Sequence, residues 1–271
     1  MAASHSWQER RDSAAETFRA FAPGIDPERI AASFARRQGA LGAMAFDVVG
    51  AMWSRPQLNR RDRSLLVISA LAAQARDEEL ELHTGNGLRN GLTPEEIEEI
   101  LLHVAAYAGF PAAMASSRHI DKALAAAAGV ERLPPRAAAA RKSDAERDRG
   151  AAVAMRSITG WEAADPAAAL ARMEAMFGEV GVVAYRWAFG EIWSREQLSR
   201  RDRSIVVIAI LVTLGAAEEL AAHAVAGLRH GLTRIEVEEI VNHLSLYAGI
   251  PRAIQAWRAV RPALDRAEAG G

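Results

Sequence analysis

The chain is 271 residues long, half of them hydrophobic and a quarter charged, with a formal net charge of −1 at pH 7. That composition suits a soluble globular protein with room for two domains, and its balanced charge offers no footprint for nucleic acid or an anionic membrane. Cysteine is absent, which excludes disulfides, thiolate metal sites and every thiol-based mechanism.

The N-terminal residues lack an apolar core of signal-peptide length, and the longest apolar run, around Ile205–Leu211, falls short of a membrane span. A cytoplasmic protein is therefore expected. Residues 7–21 read as a short amphipathic helix ended by Pro23-Gly24, and a longer helix is expected over 27–52, with Asp26 as N-cap and Pro27 in the first turn. The run Arg60-Arg-Asp-Arg-Ser64 opens a buried helix through Ala72, and Asp77–Arg89 forms the next. Gly91 stands where a left-handed C-terminal cap is expected. Thr93-Pro-Glu-Glu96 is a capping box opening a helix to Tyr107, and Gly109-Phe-Pro111 starts the last helix of this half. A linker is expected around 129–142, and Ser143 with Glu146 has capping-box spacing for a helix that echoes the first.

Everything then repeats. Trp53–Ile68 and Trp193–Ile208 are identical at 12 of 16 positions, at an offset of 140 residues. The same offset carries Glu79 to Glu219, His83 to His223, Gly91 to Gly231, His103 to His243, Tyr107 to Tyr247 and Pro111 to Pro251 without a gap. The best match of Glu146–Arg156 to Glu9–Arg19 needs an offset of 137, so a small insertion or deletion lies between that helix and Trp193. The second half predicts helices over 166–192, from Arg200 through Val212, and over Ala217–Arg229, followed by a Thr233–Glu236 capping box. No alternating strand pattern occurs. The fold class is all-α, two homologous domains in tandem over 1–135 and 141–271.

Three polar features recur in both halves. Glu79/His83 and Glu219/His223 are spaced four apart, on one helix face. Either they are an ordinary half-exposed pair, or the carboxylate raises and orients an imidazole acting as general acid. The arginines 60, 61, 63 and 200, 201, 203 offer forks suited to a carboxylate ligand, against the alternative that Asp62 and Asp202 pair with some and water takes the rest. His103 and His243 lie one turn before Tyr107 and Tyr247, the spacing of a satisfied core or interface histidine. No zinc signature, phosphate loop, nucleophile elbow or dinucleotide fingerprint is present, and no metal is expected. His119 and His230 occur in one half only.

The ordered set resembles the carboxymuconolactone decarboxylase family. The first half supplies Gly50, Trp53, Arg55, Leu58, Arg60, Arg63, Ser64, Glu79, His83, Asn90-Gly91, Thr93, Glu96, Glu99, Tyr107, Gly109 and Pro111. The second supplies the same set at the offset of 140, from Gly190 and Trp193 to Pro251, except for the Asn of Asn90-Gly91. The resemblance implies a helical fold whose single-domain members form hexamers, so that a tandem chain is a pseudo-dimer and three chains rebuild the ring as a homotrimer. The family's AhpD-like peroxidases use two cysteines ahead of the histidine. Those positions here are Arg76 and Glu79, and Ala216 and Glu219, so thiol peroxidase chemistry is excluded.

What the resemblance implies is cofactor-independent decarboxylation of a carboxylated lactone such as γ-carboxymuconolactone. Carbon dioxide leaves, a dienolate forms, and a histidine protonates carbon. His83 and His223 would deliver the proton, Glu79 and Glu219 orient them, Arg60, Arg63, Arg200 and Arg203 anchor carboxylates, and Trp53 and Trp193 wall the pocket. The alternatives are another lactone or polyketide-type acid on the same scaffold, or a non-catalytic ligand-binding or assembly role.

Overall fold

The computed structural model describes residues 6–136, 140–163 and 165–269. Among these are fourteen α-helices, one π-helix and no strand. In order they are α1 (Trp7–Phe21), α2 (Pro27–Gln38), α3 (Ala40–Trp53), α4 (Arg60–Ala73), α5 (Asp77–Arg89), α6 (Pro94–Tyr107), α7 (Phe110–Ala128), α8 (Asp144–Thr159), α9 (Pro166–Phe177) and α10 (Glu179–Val183). The π-helix Ala184–Ile192 follows, then α11 (Arg200–Leu214), α12 (Ala217–Arg229), α13 (Arg234–Leu244) and α14 (Ile250–Ala269). No helix among the described residues is long and apolar enough to cross a membrane.

The chain forms two compact units, residues 1–63 and 64–271, which do not coincide with the two halves of the duplication. In the first unit Ala14, Phe18, Ala31 and Phe46 form the core, with the Phe18 and Phe46 rings stacked at 4.6 Å. Trp53 is buried, its ring in a T-shaped contact with Phe21 at 4.9 Å and 86°. In the second unit α11 is buried along nearly its whole length, α12 packs on α14, and α6, from the first half of the sequence, packs against α11 from the second. This last contact builds the site described below.

Local signals determine most helix ends. Ser6/Glu9, Thr93/Glu96, Ser143/Glu146 and Thr233/Glu236 all close reciprocal capping boxes. Gly91 and Gly231 have φ of +97° and +96° and follow α5 and α12. The next residues, Leu92 and Leu232, donate back to the carbonyls of Gly87 and Gly227, completing Schellman motifs. Of the expected linker, residues 137–139 lie outside the described residues. On either side of them Arg136 pairs with Asp121 and Glu98, and Lys142 donates to the carbonyls of Gly190 and Glu191 and to Ser194 Oγ.

Two expected helices are each broken. The run 27–52 divides at Gly39 (φ +60°, ψ −131°), and 166–192 divides at Gly178 (φ +62°, ψ −147°), backbone states only glycine adopts readily. At each break the chain turns sharply enough that Gly42 sits against the backbone carbonyl of Phe34 and Gly181 against that of Met173.

The second half then differs. Gly39 and Gly42 map to Gly178 and Gly181 at an offset of 139, whereas Gly50 and Trp53 map to Gly190 and Trp193 at 140. One residue is therefore inserted between Gly181 and Gly190, and the chain absorbs it as the π-helix, where Trp193 N–H donates to Ala188 O, five residues back. This locates one part of the expected insertion.

The glycine contacts make a stability prediction. Gly42→Ala and Gly181→Ala drive a methyl into a backbone carbonyl and are expected to lower unfolding stability by about 2–3 kcal/mol. Gly85→Ala, in mid-helix with only the tip of Arg89 nearby, is expected to be neutral or stabilising by up to about 1 kcal/mol. Urea unfolding midpoints of the three variants check the contrast.

Candidate active site

The site is built on one face of α6, where Glu99, His103 and Tyr107 stand one turn apart. Against them come Trp193 and Arg195 from the segment before α11, Arg203 from α11 and His223 from α12. Glu99 and Arg203 are buried and form an ion pair at 3.4 Å, while Arg195 Nε donates to the other Glu99 oxygen at 2.6 Å. Arg203 also donates to His103 Nε2 (2.9 Å) and to the Arg195 carbonyl (2.7 Å). Burial lowers the Arg203 pKa, opposed by Glu99, yet guanidinium remains charged at any working pH. His103 Nε2 must therefore accept, and this imidazole is neutral. Burial, followed by the charge of Arg203, holds its pKa well below the usual range.

Next to this cluster runs a second polar chain. Trp193 Nε1–H donates to Tyr107 Oη at 3.0 Å, and Tyr107 Oη lies 3.3 Å from His223 Nε2. Indole is a donor only, so Tyr107 Oη accepts from Trp193 and either donates its own hydrogen to His223 Nε2 or accepts from it, according to the imidazole tautomer. His223 Nδ1 is buried without a hydrogen-bond partner among the described residues. The Trp193 and His223 rings stack at 5.8 Å, with His103 edge-on to Trp193 at 5.5 Å. Burial raises the Tyr107 pKa, against the opposing bond from Trp193. The duplicated positions repeat the ring arrangement: His83 lies edge-on to Tyr247 at 5.4 Å, and His243 stacks on Tyr247 at 5.6 Å.

The structure separates residues that the spacing joined. Glu79 and Glu219 are exposed, whereas His83 and His223 are buried. Instead of being raised by a carboxylate, both imidazoles are lowered to about 4, chiefly by burial. The carboxylate inside the site is Glu99. Nor is Arg203 presented to a ligand, because Glu99, His103 and the Arg195 carbonyl hold its guanidinium. Arg63 is fully buried, with Nε on the Leu58 carbonyl and a terminal nitrogen on that of Arg55. Arg60 meets Glu16 at 3.7 Å. Arg200 is exposed and faces a surface cleft. Trp193 lies against His223 and His103, and its indole N–H donates to Tyr107.

Glu99, Tyr107, Arg195 and His230 were not singled out as site residues from sequence. Extending the His103–Tyr107 spacing by one turn reaches Glu99. The pairing of that face with Arg195 and Arg203, about a hundred positions away, leaves no local signal.

Residues 39–122 and 183–262, more than half of the chain, match the carboxymuconolactone decarboxylase family; the protein belongs to that family. Among its relatives, a 4-carboxymuconolactone decarboxylase from Acinetobacter baylyi is 48% identical over 66 residues, 24% of this chain and 49% of that protein. A nitrosuccinic acid decarboxylase from Metarhizium robertsii is 43% identical over 70 residues, 26% of this chain and 49% of that protein. The aligned segments thus span about half the length of each relative.

The depressed imidazoles have a consequence for stability. As pH falls below about 6.5 the unfolded chain binds protons at His83 and His223 while the folded chain resists until about pH 4. Their stabilising contribution is thus present above about pH 6.5 and lost toward pH 4, at up to about 1.4 kcal/mol per pH unit per imidazole. Between about pH 6.5 and pH 5 these two imidazoles together are expected to contribute on the order of 3 kcal/mol to the loss seen in urea unfolding, a share that a His83→Asn/His223→Asn variant no longer shows.

Proposed function

We propose that the protein is a cofactor-independent decarboxylase acting on a small carboxylated acid, with γ-carboxymuconolactone as the leading candidate. The observation that carries this reading is the buried Trp193–Tyr107–His223 chain beside the Glu99–Arg203 pair, in a family whose two named relatives are decarboxylases. A lactone carbonyl conjugated through a ring double bond takes the electrons released with carbon dioxide, so the substrate supplies its own sink. The protein has three tasks: to hold a carboxylate, to stabilise the dienolate and to deliver a proton to carbon.

In this reading His223, and His83 at the duplicated position, deliver that proton. Each is neutral in the free protein. A bound carboxylate raises the pKa of a nearby buried imidazole, so the substrate itself recruits the proton that the reaction consumes. When carbon dioxide departs, the negative charge moves onto the dienolate and the imidazolium protonates it. Tyr107, held by Trp193, orients His223 through Nε2, and Arg203 and Glu99 keep His103 neutral and fixed beside it. Arg200 is the carboxylate anchor in this scheme, whereas Arg60 is already paired with Glu16. Glu79 and Glu219 have no part in orienting the imidazoles.

The relationship to a nitrosuccinic acid decarboxylase supports a second substrate class. A nitro group is also an electron sink, and both named substrates are dicarboxylic acids, so an open-chain nitro acid fits the same three tasks. We further propose two homologous domains, 1–135 and 141–271, assembled as a pseudo-dimer, and a homotrimer of such chains.

Carbon dioxide release from γ-carboxymuconolactone and from nitrosuccinate tests the reading. The parent protein is expected to decarboxylate one of them, and His83→Asn/His223→Asn to lower kcat by roughly 10²–10⁴-fold. The kcat profile is expected to reveal a higher imidazole pKa than kcat/KM, because kcat reports the substrate complex. Undiminished turnover in the double variant removes these histidines from the mechanism.

A further inference from the structure

A cleft of about 450 Å³ opens on the second unit, lined by Val153, Arg156, Ser157, Arg200, Arg229 and His230. Three guanidinium groups and an imidazole thus border one cavity. Arg156 has a surface partner, Glu162, at 3.3 Å. Arg229 donates to the Ile158 carbonyl at 2.7 Å. No carboxylate among the described residues pairs with Arg200 or Arg229. At the back of the cleft His230 Nε2 is buried without a hydrogen-bond partner among the described residues. A buried imidazole nitrogen and two arginines without a carboxylate partner thus border the same cleft, beside the Ser157 backbone.

The duplication identifies the anion. At the offset of 137 that aligns α1 with α8, and that also carries the Ser6/Glu9 capping box onto Ser143/Glu146, Val153 replaces Glu16. In the first half Glu16 forms an ion pair with Arg60, the counterpart of Arg200. The carboxylate that Arg60 receives from its own chain is therefore missing from the second half, where an apolar, exposed Val153 takes its place. His230 replaces Asn90 at the offset of 140, and each bonds the equivalent serine: Asn90 Nδ2 to Ser64 Oγ at 2.9 Å, His230 Nδ1 to Ser204 Oγ at 2.7 Å.

We propose that this cleft binds a carboxylate of the substrate, held by Arg200, Arg229 and His230, and that the Glu16→Val exchange of the second half opened it. The Ser204 hydroxyl reaches both the Arg200 carbonyl (3.1 Å) and His230 Nδ1 (2.7 Å). When it donates to Nδ1, the imidazole hydrogen sits on Nε2 and becomes a neutral donor into the cleft. Charging the ring is not required, which agrees with a His230 pKa lowered to about 4 by burial and then by Arg200. His230 meets the Trp193 ring at 5.9 Å, and Trp193 stacks on His223. The cleft's affinity for a carboxylate stands on the geometry; that its ligand is the substrate rests on the decarboxylase reading.

Calorimetric titration of the full chain with succinate, and separately with inorganic phosphate, tests the cleft. Succinate is expected to bind more tightly than phosphate, and Arg200→Gln to weaken it by about tenfold or more. Val153→Glu restores the internal carboxylate and is expected to weaken succinate at least about tenfold, while Val153→Gln, of the same size without the charge, stays within about threefold of the parent. Val153 is exposed, so neither substitution endangers folding, and circular dichroism verifies this. Absence of succinate binding, equal affinity of the Glu and Gln variants, or phosphate binding as tightly as succinate overturns the proposal. A protein that binds succinate in this pattern but releases no carbon dioxide overturns the decarboxylase reading and leaves the cleft standing.

Discussion

A guanidinium buried at 1% exposure dictates much of what surrounds it. Removing Arg203 from water is costly unless an opposite charge and full hydrogen bonding go with it. Glu99 supplies the charge, and His103 and the Arg195 carbonyl take donors that would otherwise be stranded. These partners lie on α6 and in the segment before α11, so the demand of one side chain holds together elements from the two halves of the sequence. It also determines the protonation state of His103, since a permanently charged donor on Nε2 leaves no room for a second proton there.

The neighbouring Trp193–Tyr107–His223 chain inherits its order from this frame. Tyr107 stands one turn beyond His103 on α6, and Trp193 lies two residues before Arg195, so anchoring Arg195 on Glu99 brings the indole to the phenol. The result is a set of packed rings, His223 stacked on Trp193 and His103 edge-on to it. Desolvation keeps the imidazoles neutral. Preorganised, uncharged groups of this kind respond to charge that a reaction brings or moves.

Duplication gave the two halves equal starting material, and small local changes made them unequal. One inserted residue became a π-helix immediately before Trp193, the kind of irregularity that concentrates at functional sites. Val153 stands where the first half has Glu16, so the second half lacks a carboxylate beside the equivalent arginine, and His230 stands where the first half has Asn90, with an imidazole beside the equivalent serine. None of these changes disturbs the capping boxes or the Schellman turns, which remain in register. The scaffold is held by backbone bonds close in sequence, so side chains in the clefts were free to diverge.

The sequence by itself determined the helical class, the tandem duplication, the capping boxes at Thr93 and Thr233 and the left-handed turns at Gly91 and Gly231. Each depends on residues within a few positions of one another, where spacing and geometry are almost the same thing. It also marked the histidines, arginines and tryptophans worth following, because duplication preserved them twice. Only the tertiary structure decided which of them meet. Glu79 is four residues from His83, yet one is exposed and the other buried, while Glu99 reaches Arg203 across a hundred residues. The glycine breaks at 39 and 178 likewise required the observed φ values, since a glycine within a helical pattern is equally consistent with a continuous helix. The physical reason is shared by all of these cases. Burial and electrostatic pairing are properties of packed surfaces, and a pattern along one helix does not say what the opposing helix will present.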